Sequence, residues 1–331
     1  MKCLITGGAG FIGSYLAEYL SKENHKVTVF DDLSTGRFGN IANLLESSKF
    51  KFIHGDILDE LKLRKAISEV DLVFHLAAAV GVKYIYDNPI KSIIINIRGT
   101  ENVINSCVKF SKKVFLASSS EVYGKNGSNN ESFKESDEIS LNPSLRWSYG
   151  ATKAVNEFFA KAAYKEKGLP VVIGRYFNTI GPRQLDTYGM VIPRFVNQAL
   201  KNEPITVFED GSQVRSFIDV SDVVGATVKL MSNPKAEGEI FNIGTPSPIT
   251  IKSLASKIKK IASSKSKITY IPYQQVYGAD FKDINYRIPN IEKLRKYIKF
   301  KSNSDLDKIL KIIIQHKREK LGKKLRSLDN N

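Results

Sequence analysis

Short apolar runs, rich in β-branched residues, alternate along the first half of the chain with longer segments of helical period. The apolar runs predict six strands, at residues 2–6, 26–30, 51–54, 72–75, 114–118 and 171–175. The helical patterns between them predict helices at residues 12–22, 58–69, 90–110 and 147–167. Strands that alternate with helices form βαβ units, in which the strands are parallel. The sequence therefore predicts an α/β fold built on a doubly wound parallel sheet.

The alternation fails after residue 177, where prolines and glycines separate shorter elements. With 331 residues and 42% hydrophobic content, the chain is long enough for one large α/β unit and a smaller second one. We predict a first lobe at residues 1–176 plus about 214–243, which binds a dinucleotide. A second, smaller α/β lobe at residues 177–213 plus 244–331 would bind the substrate.

The first strand runs into a glycine-rich turn that contains Gly7, Gly10, Phe11, Ile12 and Gly13. Such a turn needs backbone geometry that a Cβ atom would forbid, and a pyrophosphate must approach its backbone closely. The helix that follows offers free N–H groups and a partial positive charge to that anion. A strand before the turn and a helix after it predict a dinucleotide site.

The second predicted strand leads into Asp31 and Asp32, about twenty residues beyond the glycine turn. A carboxylate at this place can accept a hydrogen bond from a ribose 2′-hydroxyl, and it would repel a 2′-phosphate. Asp31 therefore favours NAD as the cofactor, although Arg37 nearby leaves NADP open.

A candidate proton relay combines Tyr149 and Lys153, which lie four residues apart on one face of a predicted helix. A neighbouring ammonium stabilises a phenolate, so Lys153 is expected to bring the pKa of Tyr149 closer to neutral pH. The fifth strand ends in a serine cluster, and Ser119 there can share a substrate proton with the tyrosine. Ser120 and Glu121 follow directly, and we include them among the candidate catalytic residues.

The formal net charge of +16 raises the question of a nucleic-acid or membrane partner. The densest basic run, at residues 316–326, is interpreted as a solvated or frayed terminal helix, and no basic patch with interleaved aromatic residues predicts nucleic-acid binding. No apolar stretch is long enough for a bilayer and no leader is evident, so the protein is expected in the cytoplasm. Cys3 and Cys107 are too few for a disulfide framework or a zinc site, and no metal is expected.

These residues resemble the extended short-chain dehydrogenase/reductase family, which includes nucleotide-sugar epimerases, dehydratases and decarboxylases. The matching motifs are Gly7-x-x-Gly10-x-x-Gly13, 31–36, 56–57, 75–78, Asn96, 118–124, Tyr149-x-x-x-Lys153, 175–182, 189–195, 211–215 and 219–222. The resemblance implies a Rossmann fold and a tightly held NAD that transiently oxidises C4 of a nucleotide-linked sugar. The expected nucleotide is UDP. The family resemblance also implies a homodimer formed through the helices at 90–110 and 147–167.

The resemblance also implies roles for individual residues. The cofactor-binding residues would be those of the glycine turn together with Asp31, Asp32, Ser34, Thr35, Gly36, Asp56, Ile57, Leu76, Ala77, Ala78, Asn96, Tyr149 and Lys153. The substrate would be bound by Asn178, Arg194, Arg215 and Arg287, with Asn178 and Arg215 on the diphosphate.

Three reactions remain open after the oxidation at C4. A 4-epimerase needs only Ser119, Tyr149 and Lys153. The 4,6-dehydratases usually carry Asp before Glu121, where this chain has Ser120. The UDP-glucuronate decarboxylases are most similar, because they place Thr-Ser-Glu at residues 119–121 and an arginine at the position of Arg287.

Decarboxylation of UDP-glucuronate is therefore the leading hypothesis, followed by 4-epimerisation and 4,6-dehydration. In that reaction Arg287 would orient the sugar carboxylate or supply a proton; the alternative is that it only contacts the diphosphate. Glu121 would assist at C5; the alternative is that it only anchors the sugar. A non-catalytic NAD sensor would have no need of the relay. An RNA-binding protein on the same scaffold would bind with strong salt dependence.

Overall fold

A seven-stranded parallel sheet forms the centre of the computed structural model, which describes residues 1–124, 131–186, 190–277, 283–303 and 305–329. The polar stretch 125–130 and Gly189 of the family motif lie outside the described residues, as do the side chains beyond residue 322. The strands are β1 (Lys2–Thr6), β2 (Lys26–Asp31), β3 (Phe50–His54), β4 (Leu72–His75), β5 (Lys113–Ser119), β6 (Val171–Tyr176), β7 (Thr179–Ile180), β8 (Ile205–Phe208), β9 (Val214–Arg215), β10 (Ile218–Asp219), β11 (Ile240–Ile243), β12 (Ile249–Thr250), β13 (Ile268–Ile271) and β14 (Tyr286–Arg287). The helices are α1 (Phe11–Lys22), α2 (Glu60–Ser68), α3 (Val82–Asp87), α4 (Pro89–Lys109), α5 (Ser148–Lys167), α6 (Val191–Leu200), α7 (Val220–Met231), α8 (Ile251–Ala262), α9 (Gln274–Tyr277), α10 (Glu292–Ile298) and α11 (Leu306–Asp329).

The central sheet has the strand order β3-β2-β1-β4-β5-β6-β11, and every neighbouring pair is parallel. The six predicted strands agree with β1–β6 to within one residue at each end, and the four predicted helices agree with α1, α2, α4 and α5 to within two. The predicted doubly wound α/β fold is confirmed. Parallel strands bring their carboxyl ends to one edge of the sheet, which is where ligands bind in such folds.

Helices cover both faces of this sheet, because its strands are apolar on both sides. One face packs against α1, α7 and α10, with Leu16, Val223 and Leu294 fully buried there. The other packs against α2, α4 and α5, where Leu63 and Val103 are buried. The burial of these two apolar layers stabilises the platform that carries the site.

Three helices and two short strands form the second lobe's core. Helices α6, α8 and α11 pack on the parallel pair β8 and β13, burying Phe195, Ile205, Ile258 and Ile313. Outside the central sheet the structure also has a small sheet in the order β12-β9-β14 and the parallel pair β7 and β10. Within the described ranges, every helix is too short or too polar to span a lipid bilayer.

The pairing of two segments differs from the predicted lobe boundaries. Strand β9 falls within the residues assigned to the first lobe, yet it pairs with β12 and β14 of the second. Helix α10 falls within the residues assigned to the second lobe, yet it packs on α7 and β11. The chain therefore crosses between the lobes more often than its turn residues indicate.

The terminal helix α11 packs on the second lobe through residues that precede the basic run at 316–326. Its apolar face is buried against α6 and α8, with Leu310 at 0% exposure. On its polar side Lys317 pairs with Asp186 at 3.3 Å, and Arg318 donates to the carbonyl of Ala262 at the end of α8 at 2.7 Å. The described part of this helix is thus a packed element of the second lobe, because its aliphatic residues recur at helical spacing beside the charges.

Candidate active site

A cavity of about 500 Å³ opens at the carboxyl ends of the central strands and extends to the second lobe. All five candidate catalytic residues line it: Ser119, Ser120, Glu121, Tyr149 and Lys153. So do the predicted cofactor residues Gly7, Gly10, Phe11, Ile12, Gly13, Asp31, Asp32, Ser34, Thr35, Asp56, Ile57, Leu76, Ala77 and Ala78, and the predicted substrate residues Asn178, Arg194, Arg215 and Arg287. Segments that are far apart in sequence therefore meet around one space.

The glycine turn forms a cradle with the geometry that a pyrophosphate needs. Gly7 has a φ of +71° and its N–H donates to the carbonyl of Phe30 at 2.9 Å. A Cβ atom on Gly13 would collide with the carbonyl oxygen of Gly7, so the turn and the first turn of α1 touch without side chains between them. The N–H groups at the start of α1 remain available to an anion in the cavity.

Two aspartates at the end of β2 shape the ribose end of the cavity. The Asp31 carboxylate is buried and accepts hydrogen bonds from the N–H groups of Ala9 and Leu33, both at 2.9 Å. Burial raises the pKa of Asp31, and those two hydrogen bonds oppose the rise. Asp32 accepts from the N–H and hydroxyl of Ser34 at 2.9 and 2.7 Å, which ties the loop against the cavity. The residues present fit NAD.

Two of the predicted cofactor residues lie behind the cavity wall. The Asn96 side chain accepts from the N–H of Ala79 at 2.8 Å, donates to its carbonyl at 3.2 Å, and also donates to Thr152 at 3.3 Å. Gly36 sits against Asp31, since a Cβ atom there would come within 2.7 Å of the aspartate's Oδ1. Both residues position the wall, and neither faces the cavity.

The proton relay is assembled from the end of β5 and the first turns of α5. The Ser119 hydroxyl forms a hydrogen bond with Tyr149 and accepts one from the N–H of Glu121 at 3.2 Å. Lys153 lies one turn further along α5, with its Nζ 5.8 Å from the centre of the Tyr149 ring. That Nζ donates to the carbonyl of Ala117 at 2.8 Å. The serine, tyrosine and lysine therefore stand as the sequence predicts.

The charge environment of Tyr149 differs from the prediction. Burial, followed by the negative charge of Glu121, raises the pKa of Tyr149, while its hydrogen bond with Ser119 acts in the opposite direction. Burial lowers the pKa of Lys153 to about 8, against the attraction of Glu157. The expected lowering of the tyrosine pKa by Lys153 is therefore outweighed by desolvation and by a carboxylate that the spacing argument left out.

Glu121 is held between two guanidinium groups on the substrate side of the cavity. Its carboxylate pairs with Arg146 at 2.7 Å and with Arg287, whose other nitrogen donates to the side-chain oxygen of Asn178 at 2.8 Å. Burial opposes ionisation, but Arg146 and Arg287 lower the pKa of Glu121 to about 2. Glu121 is consequently a carboxylate at neutral pH, suited to accept hydrogen bonds.

A second carboxylate extends this network toward Arg215. Asp283 pairs with Arg215 at 2.9 Å and with Arg146 at 3.0 Å, and it accepts from the hydroxyl of Tyr273 at 3.1 Å. Three arginines therefore face two carboxylates, Glu121 and Asp283, at this end of the cavity. A surplus of positive charge in an enclosed space favours an anionic ligand.

The remaining cation of the predicted set, Arg194, lies on the same cavity with its guanidinium 4.0 Å from the ring centre of Phe208. The sequence arguments missed Arg146, Asp283 and Tyr273 as site residues. Arg146 had a signal, since it stands three residues before Tyr149. The other two have no local pattern that marks them.

The fold and the site define a class of NAD-dependent enzymes. The model of the NAD dependent epimerase/dehydratase family matches residues 3–244, and the chain belongs to this family. The resemblance to nucleotide-sugar epimerases, dehydratases and decarboxylases is thereby confirmed, and so is NAD as the cofactor.

Individual relatives cover nearly the whole chain. A UDP-N-acetyl-alpha-D-glucosaminuronate decarboxylase of Bacillus cytotoxicus is 40% identical over 96% of this chain and 98% of its own length. UDP-glucuronic acid decarboxylase 1 of Danio rerio is 35% identical over 95% of this chain and 72% of its own. The crystal structure of a UDP-glucuronic acid 4-epimerase from Bacillus cereus, in complex with UDP-glucuronic acid and NAD, superposes with a TM-score of 0.86 at 29% identity, covering 96% of this chain and 99% of that one.

Proposed function

We propose that the protein decarboxylates a UDP-linked hexuronic acid, with UDP-glucuronate as the leading substrate. The observation that carries the proposal is the wall on which Glu121 is clamped by Arg146 and Arg287 directly beside the Ser119–Tyr149 relay. A UDP-linked neutral hexose would bring only its diphosphate to this wall, whereas a UDP-linked hexuronic acid also brings a carboxylate to the sugar side. A sugar carboxylate and a diphosphate would complement the positive charge of the wall.

The relay residues act on the oxygen at C4. When bound, NAD supplies the acceptor for the C4 hydride and later returns it. Tyr149, as the phenolate, takes the C4 hydroxyl proton, with Ser119 aligned to share it. Lys153 supports that phenolate with its positive charge, which opposes the free-energy cost of burying the phenolate.

Carbon dioxide is lost because the C4 ketone lies β to the C6 carboxylate. When the C5–C6 bond breaks, its electron pair moves into the C4–O unit and forms an enolate, whose oxygen Tyr149 can protonate. A proton from solvent is then added at C5 while the enol oxygen returns its proton to Tyr149, which restores the C4 ketone before the hydride returns to C4. Every proton borrowed by the tyrosine is given back within the cycle.

The guanidiniums divide the anionic groups of this substrate between them. We assign Arg287 to orient the C6 carboxylate or supply a proton nearby, and Arg215 with Asn178 to bind the diphosphate, since a guanidinium grips phosphate oxygens with two parallel donors. Glu121, being ionised, would accept a hydrogen bond from a ring hydroxyl. Arg194 would contact the nucleotide end.

A second candidate is 4-epimerisation of the same kind of substrate. It is favoured by the likeness to the Bacillus cereus UDP-glucuronic acid 4-epimerase. The two reactions share the oxidation at C4 and differ in whether C6 is lost. The substituent at C2 is a further question, because the relative at 40% identity is named for the N-acetylated sugar acid.

The test is incubation of the purified protein, separately, with UDP-glucuronate, UDP-N-acetylglucosaminuronate, UDP-glucose and UDP-N-acetylglucosamine. Mass spectrometry and NMR distinguish loss of carbon dioxide, loss of water and a change of configuration without loss of mass. We expect loss of carbon dioxide from one of the two uronates. An epimer of unchanged mass would establish the second candidate, and no conversion of either uronate would reject both.

We also propose that the protein is a cytoplasmic homodimer. Helices α4 and α5 present an exposed apolar stripe of Ile90, Ile94, Val155 and Phe158, with Phe158 69% exposed. These residues recur at helical spacing on two helices that pack side by side, so a second copy could cover them as a four-helix bundle. The cytoplasmic location is supported by the two buried, unpaired cysteines, which suit a reducing compartment.

A further inference from the structure

A buried ion pair lies behind the proton relay and takes no part in the chemistry derived above. Glu157 is on α5, four residues after Lys153, and Arg175 is on β6; both side chains are 4% exposed. Arg175 donates to the two carboxylate oxygens of Glu157 at 2.7 and 2.9 Å. Ser118 of β5 donates to the same carboxylate at 2.5 Å. Burying two charges costs free energy, which calls for a reason beyond packing.

The ammonium of Lys153 is enclosed by the same elements. Its neighbours are Tyr149 and Glu157 on α5 and His75 on β4, and Arg175 on β6 stands behind Glu157. Burial, and then the charge of Lys153, lower the pKa of His75 to about 3, so the imidazole is neutral. The attraction that favours the charged lysine therefore comes from Glu157, one helical turn away.

The surroundings of Glu157 hold its side chain in one position. Arg175 is held in turn, because its guanidinium lies 4.7 Å from the ring centre of Tyr123 and donates to the carbonyl of Glu135 at 3.3 Å. A carboxylate that accepts from a guanidinium and a hydroxyl is stabilised as the anion. Arg175 and Ser118 therefore hold this carboxylate in place one helical turn from Lys153.

We propose that Glu157 is a positioning residue that keeps Lys153 in its ammonium form, with Arg175 and Ser118 holding Glu157 in place. Burial alone would favour the neutral amine, which could not support the phenolate of Tyr149. The inference rests on the proposed function, because it concerns the relay that moves the proton at C4.

The experiment compares the pH profile of kcat/KM for the wild type and Glu157→Gln. Activity requires the ammonium, so it falls as pH rises through the pKa of Lys153, which is about 8 in the intact protein. Without the negative charge of Glu157, this fall in activity, the alkaline limb of the profile, moves to lower pH by about one unit or more. We expect a loss of roughly tenfold at pH 8 and a smaller loss at pH 6.5. Glu157→Asp keeps the negative charge, so the pH at which its activity falls should lie close to that of the wild type.

Two controls separate this effect from simple loss of packing. Glu237→Gln removes the Lys113–Glu237 pair, 2.8 Å long, at the opposite end of β5; it should leave the limb in place. The double variant Glu157→Gln/Arg175→Gln replaces the ion pair with two amides, which avoids an unpaired buried arginine. It should show the shifted limb as well.

A substrate-free measurement keeps this inference separate from the proposed function. In protein labelled at the lysine Cε, the NMR signal lost in Lys153→Met reports the lysine titration directly, and its midpoint should fall in Glu157→Gln. A wild type that converts no UDP-sugar would reject the proposed function and leave this titration as the test. An unchanged midpoint, or variants that unfold together, would assign the pair to stability alone and overturn the inference.

Discussion

At the scale of single residues, Tyr149 and Glu121 derive their chemistry from neighbours that are remote in sequence. Glu121 is ionised because Arg146 and Arg287 flank it, and its charge in turn raises the pKa of Tyr149. The spacing of Tyr149 and Lys153 predicts that both lie on one side of the site, and both line the cavity, but the pKa of Tyr149 is raised by burial and not lowered as expected. Spacing reports which side chains share a helix face, whereas a pKa depends on every charge and on the loss of water around the group.

Replacing Tyr149 with phenylalanine tests the relay. The variant keeps the ring and loses the hydroxyl that hydrogen-bonds with Ser119, so turnover should fall by about 10²- to 10⁴-fold while NAD stays bound. Stopped-flow or product assays measure the turnover, and absorbance of the released nucleotide measures bound cofactor. Tyr164→Phe, near the other end of α5 and 39% exposed, is the matched control and should be near wild type. Comparable turnover in the two variants would refute the role of Tyr149.

At the scale of elements, the glycine turn and the terminal helix show opposite relations between sequence and structure. The turn between β1 and α1 is determined locally, since the glycines are required where backbone meets backbone. Helix α11 looks like a charged tail when its lysines are counted, but its isoleucines complete the core of the second lobe. Its place depends on α6 and α8, which lie far earlier in the chain.

Gly13→Ala should disrupt the cofactor cradle. The added methyl group collides with the backbone of Gly7, so the turn must open and both the bound NAD and the melting temperature should decrease. Gly225→Ala, within α7, is the control: nothing lies within 4 Å of the added atom, and a helical alanine should stabilise by about 0.5–1 kcal/mol. Bound NAD per protein and thermal melting give the answer, and full retention of NAD by Gly13→Ala would contradict the assigned geometry.

Two adjacent isoleucines test the packing of α11. Ile313 is 6% exposed and Ile312 is 55% exposed. Ile313→Ala should lower the free energy of unfolding by roughly 2–5 kcal/mol, because it leaves a cavity among α6, α8 and α11. Ile312→Ala should change it by less than about 0.5 kcal/mol. Urea titrations measure both; equal effects would mean that α11 does not pack as described.

At the scale of the whole molecule, the active cavity is a product of two lobes that exchange segments. The first lobe supplies the glycine cradle and the relay, and the paired strands β9 and β14 bring Arg215 against Asp283 and Arg287 against Glu121. The lobe boundaries at residues 214 and 243 remain a prediction. Strand β9 and helix α10 each pack against elements assigned to the other lobe. The exposed apolar stripe on α4 and α5 is the surface that a second copy of the chain would bury in the proposed homodimer.

A charge placed on that stripe should break the proposed dimer. Phe158→Glu would bury a carboxylate in the proposed interface, which strongly disfavours association. Light scattering coupled to size-exclusion chromatography should show a dimer for the wild type and a monomer for this variant. Leu61→Glu, on α2 and 77% exposed away from the stripe, should stay dimeric. A monomeric wild type, or a dimeric Phe158→Glu, would count against the proposal.

The sequence by itself determined what depends on local patterns. The six predicted strands and four predicted helices of the first lobe follow from periodicity. The glycine turn, Asp31 and the Ser119–Tyr149–Lys153 set follow from residue type and spacing, because they lie at strand ends or within one helix. Only the tertiary structure decided which charges meet. Arg146 and Asp283 pair with residues tens to more than a hundred positions away, as in the Arg146–Asp283 pair, and no period or motif encodes such encounters. Burial then sets how strongly those charges act, and burial is a property of the folded molecule.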